Sequence, residues 1–175
     1  MKRLAVVAIV LAIGSMGCGS STTAPSAPAA PVKPTFTATL LTANEVPPIT
    51  NAEAGGSGTA TITFDVTKDA AGNITAGTAT FAVTLSGFPA NTPINIAHIH
   101  QAAAGVNGAV VFSTSLAAGE VNLATGSGSF TKTGITGDPA LMQSIINNPA
   151  GFYFNAHSTL NSGGVVRGQL VKTAG

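Results

Sequence analysis

The chain is short of almost everything that builds a cofactor site or a charged binding surface. Its 175 residues contain one cysteine, no tryptophan, one tyrosine and three histidines, and only 7% of residues are charged. A single Cys excludes an intramolecular disulfide and any Cys-based metal knuckle. Seven Lys and Arg against six Asp and Glu leave almost no net field. No basic patch exists to hold a phosphate backbone, so nucleic acid is excluded as a partner. The only sustained apolar run, residues 4–13, is half the ~20 residues that a membrane-spanning helix needs. What remains is Thr, Ser, Ala, Asn and 21 Gly, in a chain long enough for one domain with a real core.

The N-terminus reads as a processing signal. Lys2 and Arg3 precede the apolar run, and small residues then lead to Cys18. Residues 1–17 followed by Cys18 resemble the bacterial lipoprotein pattern, although Ser15 stands where Leu is usual. The resemblance implies that Cys18 is lipidated and becomes the mature N-terminus. It also implies a lipid membrane as partner and the bacterial cell envelope as location. Gly19, where an Asp would retain the protein at the inner membrane, implies the outer membrane. Residues 18–34 are, beyond Cys18, mostly Ser, Thr, Ala and Pro with one Lys33, an extended tether that cannot bury a core. The globular domain is expected over residues 35–172.

This domain reads as strands. In 59–67, Ala60, Ile62, Phe64 and Val66 alternate with Thr and Asp, and residues 69–73 form a hairpin turn into a second strand over 74–86. Further strands are expected at 35–40, 94–100, 109–113, 120–131, 152–157 and 165–171. One helix is expected from Asp138, a capping residue followed by Pro139, through Asn147, with Leu141, Met142, Ile145 and Ile146 as its apolar stripe. The fold class is all-β: an antiparallel, Greek-key-like β-sandwich of seven or eight strands with one short helix.

The histidines carry what chemistry there is. His98 and His100, at i and i+2 on a strand, project from one face with Cα atoms about 7 Å apart. His157 ends another strand. Three neutral imidazoles suit copper or zinc, and the alternative is a set of hydrogen-bonded hubs that fix loops. Simple alternation places Ile94 and Ile96 on the face of His98 and His100, which predicts that this face begins inside the core.

The rest of the chain offers no catalytic machinery. Gly126-Ser127-Gly128-Ser129 lacks the spacing of a nucleophile elbow. The run 55–58 has no following Lys to cradle a phosphate. The carboxylates Glu45, Glu53, Asp65, Asp69, Glu120 and Asp138 are scattered, without the pairing that glycoside hydrolysis requires. Glu45 and Arg167, rare charges beside strands, are expected to pair near one edge of the sandwich.

Three motifs in order, Asn44-Glu45-Val46-Pro47-Pro48, Ala97-His98-Ile99-His100 with Gly105 to Val111, and Tyr153 to Ser158 with Gly163 to Leu170, resemble the CHRD (chordin-type) domain. The acidic residue common before the family's final Arg-Gly-Gln is Val165 here. That resemblance implies an extracellular β-domain that binds other molecules. The His-x-His strand is also similar, over a short stretch, to the copper strand of Cu,Zn superoxide dismutases. By that likeness His98, His100 and His157 take copper positions, while the bridging His, the zinc ligands and the disulfide have no counterparts. Two function classes follow. The first is a non-enzymatic envelope module with a structural role or an extracytoplasmic protein or glycan ligand. The alternative is a copper-binding or dismutase-like redox protein. The missing dismutase residues favour the first.

Overall fold

The computed structural model describes residues 32–175. The signal (1–17), Cys18 and nearly all of the tether (18–34) lie outside the described residues.

Ten strands form one continuous antiparallel sheet: β1 (Thr35–Leu41), β2 (Ser57–Lys68), β3 (Ile74–Ser86), β4 (Thr92–Gln101), β5 (Ala109–Ser113), β6 (Val121–Leu123), β7 (Gly128–Thr136), β8 (Phe152–Ser158), β9 (Val166–Gln169) and β10 (Val171–Ala174). The order along the hydrogen-bonded path is β5-β4-β8-β9-β1-β2-β3-β7, with β10 on β1 and β6 on β4. The sheet curls so that distant strands meet: Phe81 of β3 packs edge-on against Phe112 of β5 at 5.5 Å between ring centroids. Phe36, Phe64, Phe81 and Phe154 are wholly buried between the two halves. Each such side chain contributes about 1.5–3 kcal/mol of transfer free energy. The all-β architecture with one short helix is the one expected.

The local signals act as their chemistry requires. Asp69 accepts hydrogen bonds from the backbone N–H groups of Ala71 and Asn73 and closes the β2–β3 turn. Asp138 caps α1 (Pro139–Asn147) by accepting from the Leu141 N–H. Met142 and Ile145 bury the helix face, with Met142 packed where a Cβ on Gly77 of β3 would stand.

Three expectations are corrected. The single strand over 120–131 is two, β6 and β7, because a turn closes between them: Gly126, at φ +78°, donates to the Leu123 carbonyl. Likewise 165–171 divides into β9 and β10 at Leu170, whose N–H makes the last bond to β8, at Phe152, before the chain continues paired with β1. These breaks raise the strand count from seven or eight to ten. Finally, a β-bulge lies between Ile94 and Ile96 on β4. It flips the alternation, so Ile94 is fully buried while Ile96 is 37% exposed. His98 and His100 therefore share the outer face with Ile96, and Ala97 and Ile99 point into the core.

A three-histidine centre on the outer face

Strands β4, β8 and β9 are neighbours, and their outward side chains form one polar layer. Alternation puts Tyr153, Asn155 and His157 on the outer face of β8, while Phe152, Phe154 and Ala156 fill the core. The register pairs His100 with Tyr153, His98 with Asn155, and Asn155 with Arg167 of β9. His100, Tyr153, Asn155, His157 and Arg167 are all buried although they face away from the core. Loop segments around Asn44, Gly108 and Ser162 reach this layer and hydrogen-bond to it.

The structure brings His98, His100 and His157 together. One ring nitrogen from each lies within 4.8 Å of the other two. His100 Nδ1 is 3.0 Å from the Gly108 carbonyl oxygen, and His157 Nδ1 is 2.9 Å from that of Ser162. A carbonyl can only accept, so both Nδ1 atoms carry the proton and both Nε2 atoms present a lone pair. Those Nε2 atoms, with His98 Nδ1, are buried and have no hydrogen-bond partner. Burial holds all three imidazoles below their ordinary pKa, His98 at about 4, with His157 and His100 adding to the shift on His98. The rings are neutral at pH 7, the form that binds a metal. Nitrogens at ~2.0–2.1 Å from one ion stand about 3.5 Å apart, so small side-chain adjustments close the site on an ion. The hub role is present too: two rings pin loops with one nitrogen and keep the other free.

Glu45 and Arg167 also meet in this layer. Arg167 Nε is 3.8 Å from Glu45 Oε2 and both side chains are buried. Arg167 sits on β9, between β8 and β1, so the pair lies in the middle of the sheet path and not at an edge. Glu45 Oε1, Asn155 Oδ1 and Arg167 Nη2 are buried without partners. Together with the three imidazole nitrogens they are all such atoms found among the described residues.

Two supporting residues escaped the sequence reading. The Tyr153 ring stacks on His100 at 4.8 Å and 7°, and its hydroxyl accepts from the Gly108 N–H. Gly108 thus clips both rings, its N–H to Tyr153 and its carbonyl to His100. The signal for Tyr153 was its even spacing from His157 on one strand. Asn107 Oδ1, which accepts from Arg167 Nη1 at 2.9 Å, carried no such signal.

Residues 36–170 match the CHRD domain family. The chain belongs to the CHRD domain family. The match runs from β1 to the end of β9 and includes all three histidines, Glu45 and Arg167. No curated protein and no solved structure matches the chain. Within the CHRD domain, the three histidines are the sole cluster of potential metal ligands among the described residues.

Proposed function

We propose that this CHRD domain is a metal-binding module of the bacterial cell envelope, tethered through lipidated Cys18, whose three-histidine centre holds one copper or zinc ion. The observation that carries the reading is the convergence of three imidazoles, each of which has a buried, partnerless ring nitrogen. A purely structural histidine has no reason to bury a lone pair without a donor, since each such group costs about 1–3 kcal/mol. An ion bonded to all three removes that cost at once.

The test is metal content. Full-length protein purified without chelator is expected to carry or take up one equivalent of copper or zinc. A triple His98→Ala, His100→Ala, His157→Ala protein of unchanged circular dichroism is expected to take up none. Equal uptake by the two proteins rejects the reading. For the tether, Cys18→Ser is expected to move the protein to the soluble fraction and to remove the acyl mass; unchanged fractionation and mass reject it.

An envelope-binding role has its own observation. The loop carrying Val46 and Pro48 separates two clefts, with exposed Val46, Val106 and Leu160 nearby. A protein or glycan ligand fits there, and loss of binding in Val46→Asp and Leu160→Asp variants to isolated envelope fractions tests it.

A further inference from the structure

We propose that the three-histidine centre is a cuprous site and that Arg167 sets its preference for a singly charged ion. The inference rests on the metal-binding reading above and adds the ion's identity and the residue that selects it.

The donor set points this way first. Three neutral nitrogens converge, and no carboxylate belongs to the cluster. With three imidazoles zinc needs a water as its fourth ligand and copper(II) needs four or more donors, whereas three imidazoles alone satisfy copper(I). None of the three ligands cancels charge. The solvation lost on burial grows with the square of the charge, so a dication is penalised roughly four times as heavily as a monocation. His98 is partly exposed, but the unpartnered nitrogen of each ring is itself buried, so little water reaches these donors to offset this.

Arg167 adds a fixed cation. Its guanidinium carbon lies 4.8 Å from the Tyr153 ring centroid. Tyr153 is on β8, between β4 and β9, and its ring is stacked on by His100 from β4 and covered by Arg167 from β9. The guanidinium is thus at most about 10 Å from the His100 ring. A unit charge at that range in a buried setting changes the affinity for one further unit of charge by roughly tenfold. Glu45 offsets it only in part: the carboxylate is 3.8 Å from Nε, outside hydrogen-bonding range, and Nε donates to Asn44 instead. Burial also pushes the Glu45 carboxyl up to about 7, which weakens it as a counter-charge at neutral pH. Glu53, the other buried carboxylate, is engaged by Ser158 and Asn161. Arg167 is therefore a positioning residue that acts on the ion through the field and, through Tyr153, on the orientation of His100.

The experiment is anaerobic chelator competition on full-length protein at pH 8.5, with copper(I) and zinc(II) as probes, together with the copper(II)/copper(I) potential. Copper(I) is expected to bind at least a thousandfold more tightly than zinc(II), with three nitrogen donors in X-ray absorption. Arg167→Met is expected to shift the copper(II)/copper(I) affinity ratio about tenfold toward the dication, 59 mV for one electron. Arg167→Lys, which keeps the charge, restores the parent value, and Glu45→Gln moves the ratio the opposite way. A merely structural Arg167 would not produce opposite signs in the two variants. If Arg167→Met does not fold, the sign of the Glu45→Gln shift decides. Zinc binding as tight as copper(I), or an unchanged ratio in Glu45→Gln, overturns the proposal and leaves the metal centre standing. Binding of neither ion overturns the metal-centre reading and this proposal with it.

Discussion

Arg167 Nε lies 3.8 Å from Glu45 Oε2, yet donates its hydrogen bond to the Asn44 carbonyl at 2.6 Å. The guanidinium is held mainly by neutral acceptors: Asn44 O, Val106 O and Asn107 Oδ1. Asn44 returns a bond from its side chain to the Arg167 carbonyl. Arg167 thus ties the loop after β1 and the loop before β5 to β9, and Glu45 is a neighbour more than an anchor.

This asymmetry predicts unequal mutational costs. Arg167→Met removes all three guanidinium bonds and strands buried acceptors, keeping only the Asn44 bond to the backbone carbonyl, and is expected to destabilise the domain by about 3–5 kcal/mol. Glu45→Gln keeps the shape and loses one strained charge, at a cost of under ~1 kcal/mol. Urea denaturation midpoints at constant slope measure both. Equal costs would show that the ion pair, and not the backbone tie, dominates.

Glu45 also predicts a pH slope. Its carboxyl titrates near 7 in the folded chain, raised by burial from an ordinary 4.5. Between those values the folded state keeps a proton that the unfolded chain has released. The stability from this group is present below pH 4.5 and falls as pH rises through about 7, by up to roughly 3 kcal/mol. Most of this fall lies between pH 4.5 and 7. Denaturation of the metal-free protein from pH 6.5 to 8, above the histidine range, is expected to show its last part, under ~1 kcal/mol, which Glu45→Gln flattens.

The histidines slope the other way. All three are depressed by burial, so on acidification the unfolded chain takes up protons near pH 6.5 that the folded chain refuses. Stability is expected to fall as pH drops below 6.5 and to keep falling toward the folded value of about 4 for His98. Protons compete with the ion at the same nitrogens, so bound metal is released over the same range. Melting temperatures of the parent and of the triple His→Ala protein should converge near pH 5 and diverge above it in the presence of metal.

Gly164 seals the layer from above. Its φ is +132°, and a Cβ there would stand 2.5 Å from Asn155 Nδ2 and 3.0 Å from Glu45 Oε1. Gly164→Ala is expected to cost about 1–3 kcal/mol, from backbone strain and the displaced Asn155 amide. Thermal unfolding checks this; an unchanged midpoint would mean that the loop shifts freely.

Local periodicity made much of this domain legible. The β2–β3 hairpin follows from the alternation of Ala60, Ile62, Phe64 and Val66 and from the Asp69 turn, and α1 from Asp138, Pro139 and a four-residue stripe. Each signal is carried by residues close in sequence, where propensity and periodicity act. The chemistry of the site was legible in the same way, as three imidazoles in a chain with no paired thiol.

Tertiary pairing decided the rest. The bulge between Ile94 and Ile96 moved the histidines from the core side of β4 to its outer face, and nothing in the local pattern marks it, because a bulge is a property of two strands in register. His157 joins His98 and His100 only because β8 lies beside β4, although most of their separation in the chain is spent elsewhere in the sheet. The carbonyls of Gly108 and Ser162, which choose the tautomers, come from loops whose sequence carries no mark of that role. Residue chemistry and strand period are local and can be read along the chain. The convergence of three imidazoles is a non-local outcome of strand order, which the burial of a shared core imposes on segments far apart in sequence.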